Sequence, residues 1–278
     1  MAMLMFVSMD SIAKTLIRDY SVVQVVWARY FFHVAVLVIV LFPQLPTLIR
    51  TKNPALQLTR SLLLLLTTAL FFYGLRFLPL ATSSSIMLLS PIFVTALSWP
   101  LLKEYVGPRR WAGILIGFAG ALIIIRPGTD SVESAMLFPL GAAVLYALYQ
   151  ISTRMLRHGD TVLTTLLYSA LIGMVITSAF VPFYWVSPKP QDWGLMVGLG
   201  TIGGLGHFAL INAYTSAQAV SVAPFSYSNM IWAITYGYFV FGDWPDNATL
   251  AGAAIIIVSG LYIFFREQQR KKADQLNQ

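Results

Sequence analysis

The sequence repeats itself at an interval of half its length. Residues 240–252, which read VFGDWPDNATLAG, align with residues 101–113, which read LLKEYVGPRRWAG, and the alignment continues 139 positions apart as far as residue 263. The 278-residue chain is therefore two copies of one unit, and both copies are almost entirely apolar outside the acidic turns at Glu104 and Asp243. A duplicated apolar unit inside a bilayer is the ground plan of many secondary transporters.

The composition predicts that the chain lies in a membrane. Apolar residues make up 58% of the chain and charged residues 10%, and the mean hydropathy is +0.73. Soluble domains carry about 25% charged residues, so this chain cannot cover a water-facing surface. The absence of cysteine excludes disulfides, thiolate metal sites and cysteine nucleophiles. The net charge of +7 is carried mainly by turns and the tail, so we expect contact with membrane lipid and none with nucleic acid.

Ten hydrophobic stretches have the roughly 17–25 residues that a membrane-crossing helix needs. Turn-forming residues such as Pro43, Pro79 and Pro188 separate them. The first stretch follows no basic segment and contains Asp10, so we interpret it as a polar helix rather than a signal peptide. The sequence thus predicts an all-α integral membrane protein whose ten transmembrane helices lie near residues 2–17, 22–42, 58–78, 81–100, 109–125, 135–155, 162–185, 192–213, 219–241 and 248–265.

The distribution of lysine and arginine predicts that both termini are cytoplasmic. In that orientation four basic residues lie in the outer loops and twelve lie on the cytoplasmic side, namely Arg50, Lys52, Arg60, Lys103, Arg109, Arg110, Arg154, Arg157, Arg266, Arg270, Lys271 and Lys272. Each half contains five spans, an odd number, so the halves must run in opposite senses. We expect two inverted five-helix repeats, residues 1–128 and 129–278, the second ending in a basic cytoplasmic tail at 266–278.

Residues 73–128 resemble the EamA repeat of the drug/metabolite transporter superfamily, which has a Ser/Ala-rich helix with a proline, an acidic turn and a Gly-rich helix. The motifs AKTL (13–16) and WARYFF (27–32) lie where that family tends to have a lysine and an arginine. Residues 212–265 match less well. The resemblance implies ten helices, a bacterial inner-membrane location and export of small metabolites, and within the family the chain is similar to YddG-like exporters of aromatic and other neutral amino acids.

Polar and aromatic residues inside the spans predict a central cavity between the halves. In a bilayer such groups usually face the bundle interior or a water-filled cavity, and here they recur at helical spacing. Aromatic walls with a few amide and hydroxyl groups suit a solute with an apolar or aromatic side chain and a small polar head. The alternative is that the aromatic residues form interfacial belts or pack the fold. The predicted lining is Ser8, Ser11, Tyr73, Ser90, Tyr146, Tyr149, Gln150, His207, Asn229, Trp232 and Tyr236.

Four ionisable residues lie inside the first two spans. Asp10 and Lys14 are four residues apart on the first helix, and Arg29 and His33 are four apart on the second. Because the helices are antiparallel neighbours, we expect the two pairs to meet. The cluster could anchor a zwitterion or couple transport to protons, or it could be a structural ion-pair cluster that neutralises buried charge; the sequence leaves both interpretations open.

Glycines in the fifth and tenth spans predict close helix packing. Gly113, Gly117 and Gly120 lie at helical spacing, and in the second copy Gly252 corresponds to Gly113 and Gly260 to Ala121. Small residues allow backbones to approach where lipid offers no hydrophobic drive for helices to associate. The acidic residues Glu104 and Asp243 are expected to begin helices rather than to bind solute.

An enzyme is the main alternative to a transporter, and the motifs disfavour it. The histidines His33, His158 and His207 lie on separate spans or loops without metal-ligand spacing, and the sequence has no phosphate-binding Gly-Lys-Ser/Thr motif. We therefore predict a secondary transporter without cofactor or metal, working as a monomer or homodimer on a neutral or aromatic amino acid. Nucleosides, S-adenosylmethionine-like compounds and amines are alternative solutes.

Overall fold

The computed structural model describes residues 1–103, 106–127, 132–156, 160–216 and 223–276, and within these ranges every regular element is a helix. Short 3-10 turns lie at Phe42–Gln44, Val181–Tyr184 and Ala223–Tyr227. The α-helices are α1 (Ala2–Leu16), α2 (Val22–Leu41), α3 (Leu45–Leu48), α4 (Pro54–Leu75), α5 (Leu80–Met87), α6 (Ser90–Leu102), α7 (Pro108–Ile125), α8 (Val132–Leu156), α9 (Val162–Phe180), α10 (Pro190–Ser216), α11 (Ser228–Phe241) and α12 (Asn247–Leu276).

Among the described residues, eight helical segments are long and apolar enough to cross a membrane. The first and ninth predicted spans are helical but shorter, with 15 residues in α1 and 14 in α11. At about 1.5 Å per residue, such helices fall short of a hydrocarbon core about 30 Å thick. The all-helical membrane class predicted from the sequence is confirmed, and the number of ten spans stays a prediction.

Local side chains explain where several helices begin and end. Ser21 begins α2, because its Oγ accepts a hydrogen bond from the Gln24 amide at 3.1 Å. Asp246 begins α12 in the same way, with its Oδ1 accepting from the Thr249 amide at 2.8 Å. Such caps satisfy amides that have no partner within the helix. Gly242 ends α11 with a φ of 71°, a conformation that costs a residue with a Cβ about 1–2 kcal/mol.

The fourth and ninth predicted spans are both interrupted, at corresponding positions. The fourth breaks at Leu88 and Leu89, between α5 and α6, just before Pro91. The ninth changes from a 3-10 turn to α-helix at Ser228, which is the residue that corresponds to Leu89 under the 139-residue shift. Pro91 cannot donate a backbone hydrogen bond to the preceding turn. Discontinuous helices of this kind often form solute sites in transporters.

The packing of the helices repeats when the two halves are exchanged. In the chain order of the spans, α1, α2 and α4 of the first half correspond to α8, α9 and α10 of the second. Helix α1 packs against α10, and the corresponding pair α8 and α4 also packs together. Helix α2 packs against α10, and the corresponding pair α9 and α4 also packs together. Likewise, α1 packs against α11 as α8 packs against α6, whereas the pairs α2–α9 and α7–α12 map onto themselves. This repeated pattern is the one expected if a pseudo-two-fold axis relates the halves. The inverted sense of the repeats and their boundary at residues 128 and 129 stay predictions.

Glycine contacts join α7 to α12. A Cβ on Gly252 would lie 2.5 Å from the Gly120 carbonyl oxygen, and one on Gly120 would lie 2.8 Å from the Gly252 carbonyl oxygen. Ser259 Oγ donates to the Gly113 carbonyl oxygen at 2.5 Å in the same interface. Gly117 packs closely against Ile92 of α6, and Gly260 packs closely against Tyr227. The predicted close packing of these glycines is confirmed.

Loops that the predicted topology assigns to the same side contact one another. At one end, Lys189 Nζ lies 2.7 Å from Asp19 Oδ2, and the Arg126 guanidinium pairs with Asp246. At the other end, Asp160 joins the loop before α9 to the loop before α4. Which end faces the cytoplasm stays a prediction.

Asp160 is held by a dense set of hydrogen bonds. Its carboxylate accepts from Thr51 Oγ1 at 2.5 Å, from Gln57 Nε2 at 2.9 Å and from the Lys52 amide at 3.1 Å. Burial raises the pKa of the Asp160 carboxyl, but these hydrogen bonds outweigh it and hold the pKa below the ordinary 3.8. The ionised form therefore stabilises this loop contact.

Candidate functional site

A cavity of about 490 Å³ opens at the end of the bundle where α1 and α4 end. We call it the vestibule. Its lining includes Lys14, Ile17, Arg18, Arg76, Phe77 and Asp243. The side chain of Lys14 is 11% exposed and that of Asp243 is 37% exposed, so the lysine lies deep and the aspartate lies closer to the opening.

Lys14 joins three segments of the chain at the vestibule. Its Nζ lies 3.5 Å from Asp243 Oδ2 and donates to the Leu78 carbonyl oxygen at 2.7 Å. The structure thus pairs Lys14 across the halves with Asp243, and not with Asp10. Asp243 was expected to begin a helix, but Asp246 caps α12 instead. Glu104 and His158 lie outside the described residues.

Arg29 is buried among α1, α2, α4 and α10. It donates from Nη1 to Thr68 Oγ1 at 2.6 Å, from Nη2 to His207 Nε2 at 3.0 Å and from Nε to Met9 Sδ at 3.4 Å. Because arginine only donates, His207 accepts through Nε2 and carries its proton on Nδ1. A neutral His207 therefore fits beside the guanidinium. The His207 side chain is buried, with 5% exposure, and its ring lies edge-on to the ring of Phe6.

Asp10 and His33 lie near enough to Arg29 for each side chain to interact with the guanidinium charge. Both are buried, at 7% and 5% exposed, and His33 Nε2 has no hydrogen-bond partner among the described residues. The structure therefore brings together Asp10, Arg29, His33 and His207, and it separates Lys14 from this group.

Arg60 forms a second buried arginine cluster, which the sequence did not single out. The charge distribution predicts Arg60 to be a cytoplasmic loop residue, but the structure places it inside α4 with 0% exposure. It donates from Nε to Thr153 Oγ1 at 2.6 Å, from Nη1 to Ser169 Oγ at 2.7 Å and from Nη2 to Tyr149 Oη at 2.7 Å. Nη1 also donates to the Thr165 carbonyl oxygen at 3.1 Å.

The Arg60 cluster contains no acid. The guanidinium lies over the Tyr149 ring, 4.5 Å from its centroid, and no ion pair to Arg60 occurs in the part of the chain that the structure describes. Its charge is thus solvated by hydroxyls, one carbonyl and one aromatic face. Gln57, Arg60 and Ser61 share a helix face at the start of an apolar span, which is the signal that could have revealed the cluster.

The predicted aromatic lining falls into two groups. Tyr146 stacks on Tyr149 with ring centroids 5.5 Å apart, next to Arg60. On α11, Tyr236 Oη lies 2.7 Å from Ser8 Oγ of α1, and Trp232 and Tyr236 pack partly buried against the core that includes α1.

The remaining predicted residues lie in varied surroundings. Ser11 and Ser90 are buried, Gln150 is half-buried on α8, and Tyr73 is 39% exposed with its ring against Phe138. Asn229 lies at the start of α11, and its buried Oδ1 has no hydrogen-bond partner in the part of the chain that the structure describes. No group of three or more potential metal ligands occurs within the described ranges.

Comparison with known proteins gives consistent matches. The model of the EamA-like transporter family matches residues 1–126 and 133–265. An S-adenosylmethionine uptake transporter of Rickettsia felis is 28% identical over 260 residues, which cover 94% of this chain and 88% of the relative. A riboflavin transporter of Vibrio cholerae is 31% identical over 248 residues, covering 87% and 83%.

The fold is shared with a solved crystal structure. It has a TM-score of 0.67 and 15% sequence identity, and the match covers 96% of each chain. At that identity the likeness supports the architecture alone.

Proposed function

The chain belongs to the EamA-like transporter family, and from this premise we propose that it carries a small solute with a flat heteroaromatic ring and a polar tail across the bacterial inner membrane. As the sequence predicted, it is a transport protein and not an enzyme. The observation that carries the proposal is that relatives matching more than four-fifths of the chain are named for S-adenosylmethionine and for riboflavin. Both solutes combine a heteroaromatic ring system with a polar chain.

The interior of the bundle offers groups that suit such a solute. Tyr146 and Tyr149 provide stacked aromatic faces beside Arg60, and Trp232 and Tyr236 provide a second aromatic pair near the interrupted ninth span. Aromatic walls with a few polar groups are typical of sites for ring-bearing ligands. Aromatic amino acids, which the resemblance predicted, share the ring and the polar head, so they are the second candidate class.

Alternating access is the proposed mechanism, with residues 1–128 and 129–278 as the two moving repeats. Counting about 1.5 Å per residue, Arg29 lies about 10 Å from the start of α2 and Arg60 about 9 Å from the start of α4. Those helices begin at opposite ends of the bundle, so the two buried arginines lie near opposite ends of the path. Opening one end requires replacing the hydrogen bonds of one cluster, which water or the polar tail of the solute can do.

Counterflow into proteoliposomes tests the proposal. Vesicles loaded with unlabelled solute, without ATP, should accumulate labelled riboflavin or S-adenosylmethionine faster than labelled tryptophan or threonine. Tyr149→Phe, which removes the hydroxyl that accepts from Arg60, should lower exchange. Tyr168→Phe is the matched control, because its hydroxyl donates to the exposed Ile49 carbonyl oxygen and not to a buried charge. Exchange confined to tryptophan would favour the amino acid class, and exchange of none of the four would refute both.

A further inference from the structure

The vestibule carries more positive than negative charge. Lys14, Arg18 and Arg76 line it, and Asp243 is the acid in its lining. Asp243 lies 3.5 Å from Lys14. Neither Arg18 nor Arg76 forms an ion pair with any acid in the described ranges. Two guanidinium charges at the opening are therefore uncompensated.

The shape of the vestibule orders these charges from the rim to the floor. Arg18 and Arg76 are exposed at the rim, and the Arg18 guanidinium lies over the Phe241 ring, 5.3 Å from its centroid. Lys14 lies at the floor, and apolar side chains such as Ile17 and Phe77 form part of the wall. A cleft lined by charge of one sign, with walls of low dielectric, concentrates ions of the opposite sign.

Arginine suits the recognition of an anionic group. Its planar guanidinium presents paired N–H donors that match the oxygens of a carboxylate or a phosphate. An anion that passes the rim meets Lys14, whose Nζ is shared between the Leu78 carbonyl oxygen and Asp243. The bound anion would compete with Asp243 for that ammonium group.

We propose that the vestibule is a binding site for the carboxylate or phosphate group of a small solute. The site is the first one a solute meets at this end of the proposed transport path, so its role in transport rests on the proposed function. The ability of the vestibule to bind an anion does not rest on the proposed function.

Charged thiol reagents measure the charge of the vestibule directly. The chain has no cysteine, so Phe77→Cys, at a position 53% exposed in the vestibule wall, provides a single reporter. Its rates of reaction with anionic sulfonatoethyl and cationic trimethylammonioethyl methanethiosulfonate are compared with those of Ser187→Cys, outside the vestibule at the same end. A unit charge about 8 Å away changes the ratio of the anionic rate to the cationic rate about two- to fivefold, depending on salt.

We expect the anionic-to-cationic rate ratio to be about tenfold higher at Phe77→Cys than at Ser187→Cys. Arg18→Gln and Arg76→Gln should each lower it about two- to fivefold, and Arg109→Gln, an exposed cation at the other end, should leave it unchanged. Equal ratios at the two reporter positions would overturn the proposal. So would a preference that is present in detergent and lost in a zwitterionic bilayer, because lipid phosphate would then occupy the site.

A matched pair of flavins tests the ligand class. Riboflavin 5′-phosphate should protect Phe77→Cys from a neutral maleimide at about tenfold lower concentration than riboflavin, and Arg76→Gln should abolish the difference. Equal protection by both flavins, or protection by neither, would overturn the anion site. Protection by the phosphate ester in a protein that exchanges no solute would support the vestibule site while refuting the proposed function.

Discussion

Replacing Arg60 by methionine should destabilise the protein less than its hydrogen bonds suggest. The guanidinium makes four hydrogen bonds at 2.6–3.1 Å, each worth about 1.5–3 kcal/mol for a charged donor. Against this stands a desolvation cost of several kcal/mol for the buried ion. Replacement by methionine removes the hydrogen bonds and the desolvation cost together, and it retains much of the side-chain volume.

The partners that remain decide the net cost. Thr153 Oγ1 still donates to the Tyr149 carbonyl oxygen at 2.7 Å, and Ser169 Oγ still donates to the Thr165 carbonyl oxygen at 2.8 Å. Of the side chains that accept from Arg60, the Tyr149 hydroxyl is the one left without a hydrogen bond among those that the described structure shows. An unsatisfied buried polar group costs about 1–3 kcal/mol, so we expect Arg60→Met to cost about that much.

Tyr149→Phe should cost at least as much, although it removes a single oxygen. It leaves the charge buried and one N–H of the guanidinium unpaired, which is the more expensive arrangement. The double variant should then cost less than the sum of the two, because phenylalanine and methionine need no hydrogen bonds.

Denaturation of the purified protein in a mild detergent, as a double-mutant cycle, measures these three changes. Tyr168→Phe, with its exposed hydrogen bond to the Ile49 carbonyl oxygen, serves as the control. The reasoning fails if Tyr149→Phe is neutral while Arg60→Met costs more than about 4 kcal/mol, since the guanidinium would then be a net source of stability without Tyr149.

Three further changes have expected outcomes. Gly252→Ala should lower the melting temperature, because its Cβ would meet the α7 backbone at 2.5 Å, whereas Gly194→Ala, with nothing within 4 Å of the added carbon, should be neutral or stabilising by up to about 1 kcal/mol. The folded state lowers the pKa of Asp160, so its ionised carboxylate adds to the free energy of unfolding above the ordinary pKa near 3.8. This stabilisation is lost as pH falls through the lower pKa of the folded state. Asp160→Asn should therefore flatten that part of the pH profile of stability, measured by denaturation. In intact cells an impermeant maleimide should label Ser187→Cys and not Asn53→Cys, and the reverse result would invert the topology.

The fold was largely predictable from the sequence because a bilayer leaves few choices. Buried backbone groups must be satisfied within the segment, so long apolar stretches are helices, and the observed helices follow the predicted spans closely. The main differences are at the ends and within two spans. Helix α4 begins at Pro54, four residues before the predicted start. Hydropathy did not reveal the break before Pro91 or the 3-10 turn ahead of Ser228.

The contacts of the site were less predictable, because they depend on which helices become neighbours. Asp10, Arg29 and His33 could be expected to cluster from spacing on adjacent helices. The pairing of Lys14 with Asp243 joins residues that are distant in the sequence, and no local pattern specifies it. Arg60 was interpreted as a loop residue because an arginine near a span end usually marks the cytoplasmic side. Its neutral partners on α8 and α9 make burial possible, and they belong to the other half of the chain.

The contacts between the two halves differ in kind, and this difference predicts which part stays fixed when they move. The α7–α12 contact is tightly packed, because the backbones at Gly120 and Gly252 approach too closely to admit a side chain. The contact of Lys14 with Asp243 is an ion pair at 3.5 Å that borders the open vestibule, with the Asp243 side chain 37% exposed, so water or a solute can replace it. In an alternating-access cycle we therefore expect the first contact to persist and the second to open. A disulfide between Gly113→Cys and Ile263→Cys, at positions where a Cβ on Gly113 would lie 2.6 Å from Ile263 Cγ1, should preserve solute exchange in proteoliposomes. Joining Lys14→Cys to Asp243→Cys with a short bifunctional thiol reagent should block exchange, and reduction should restore it. Loss of exchange with the first link and retention with the second would show that the halves move about a different contact.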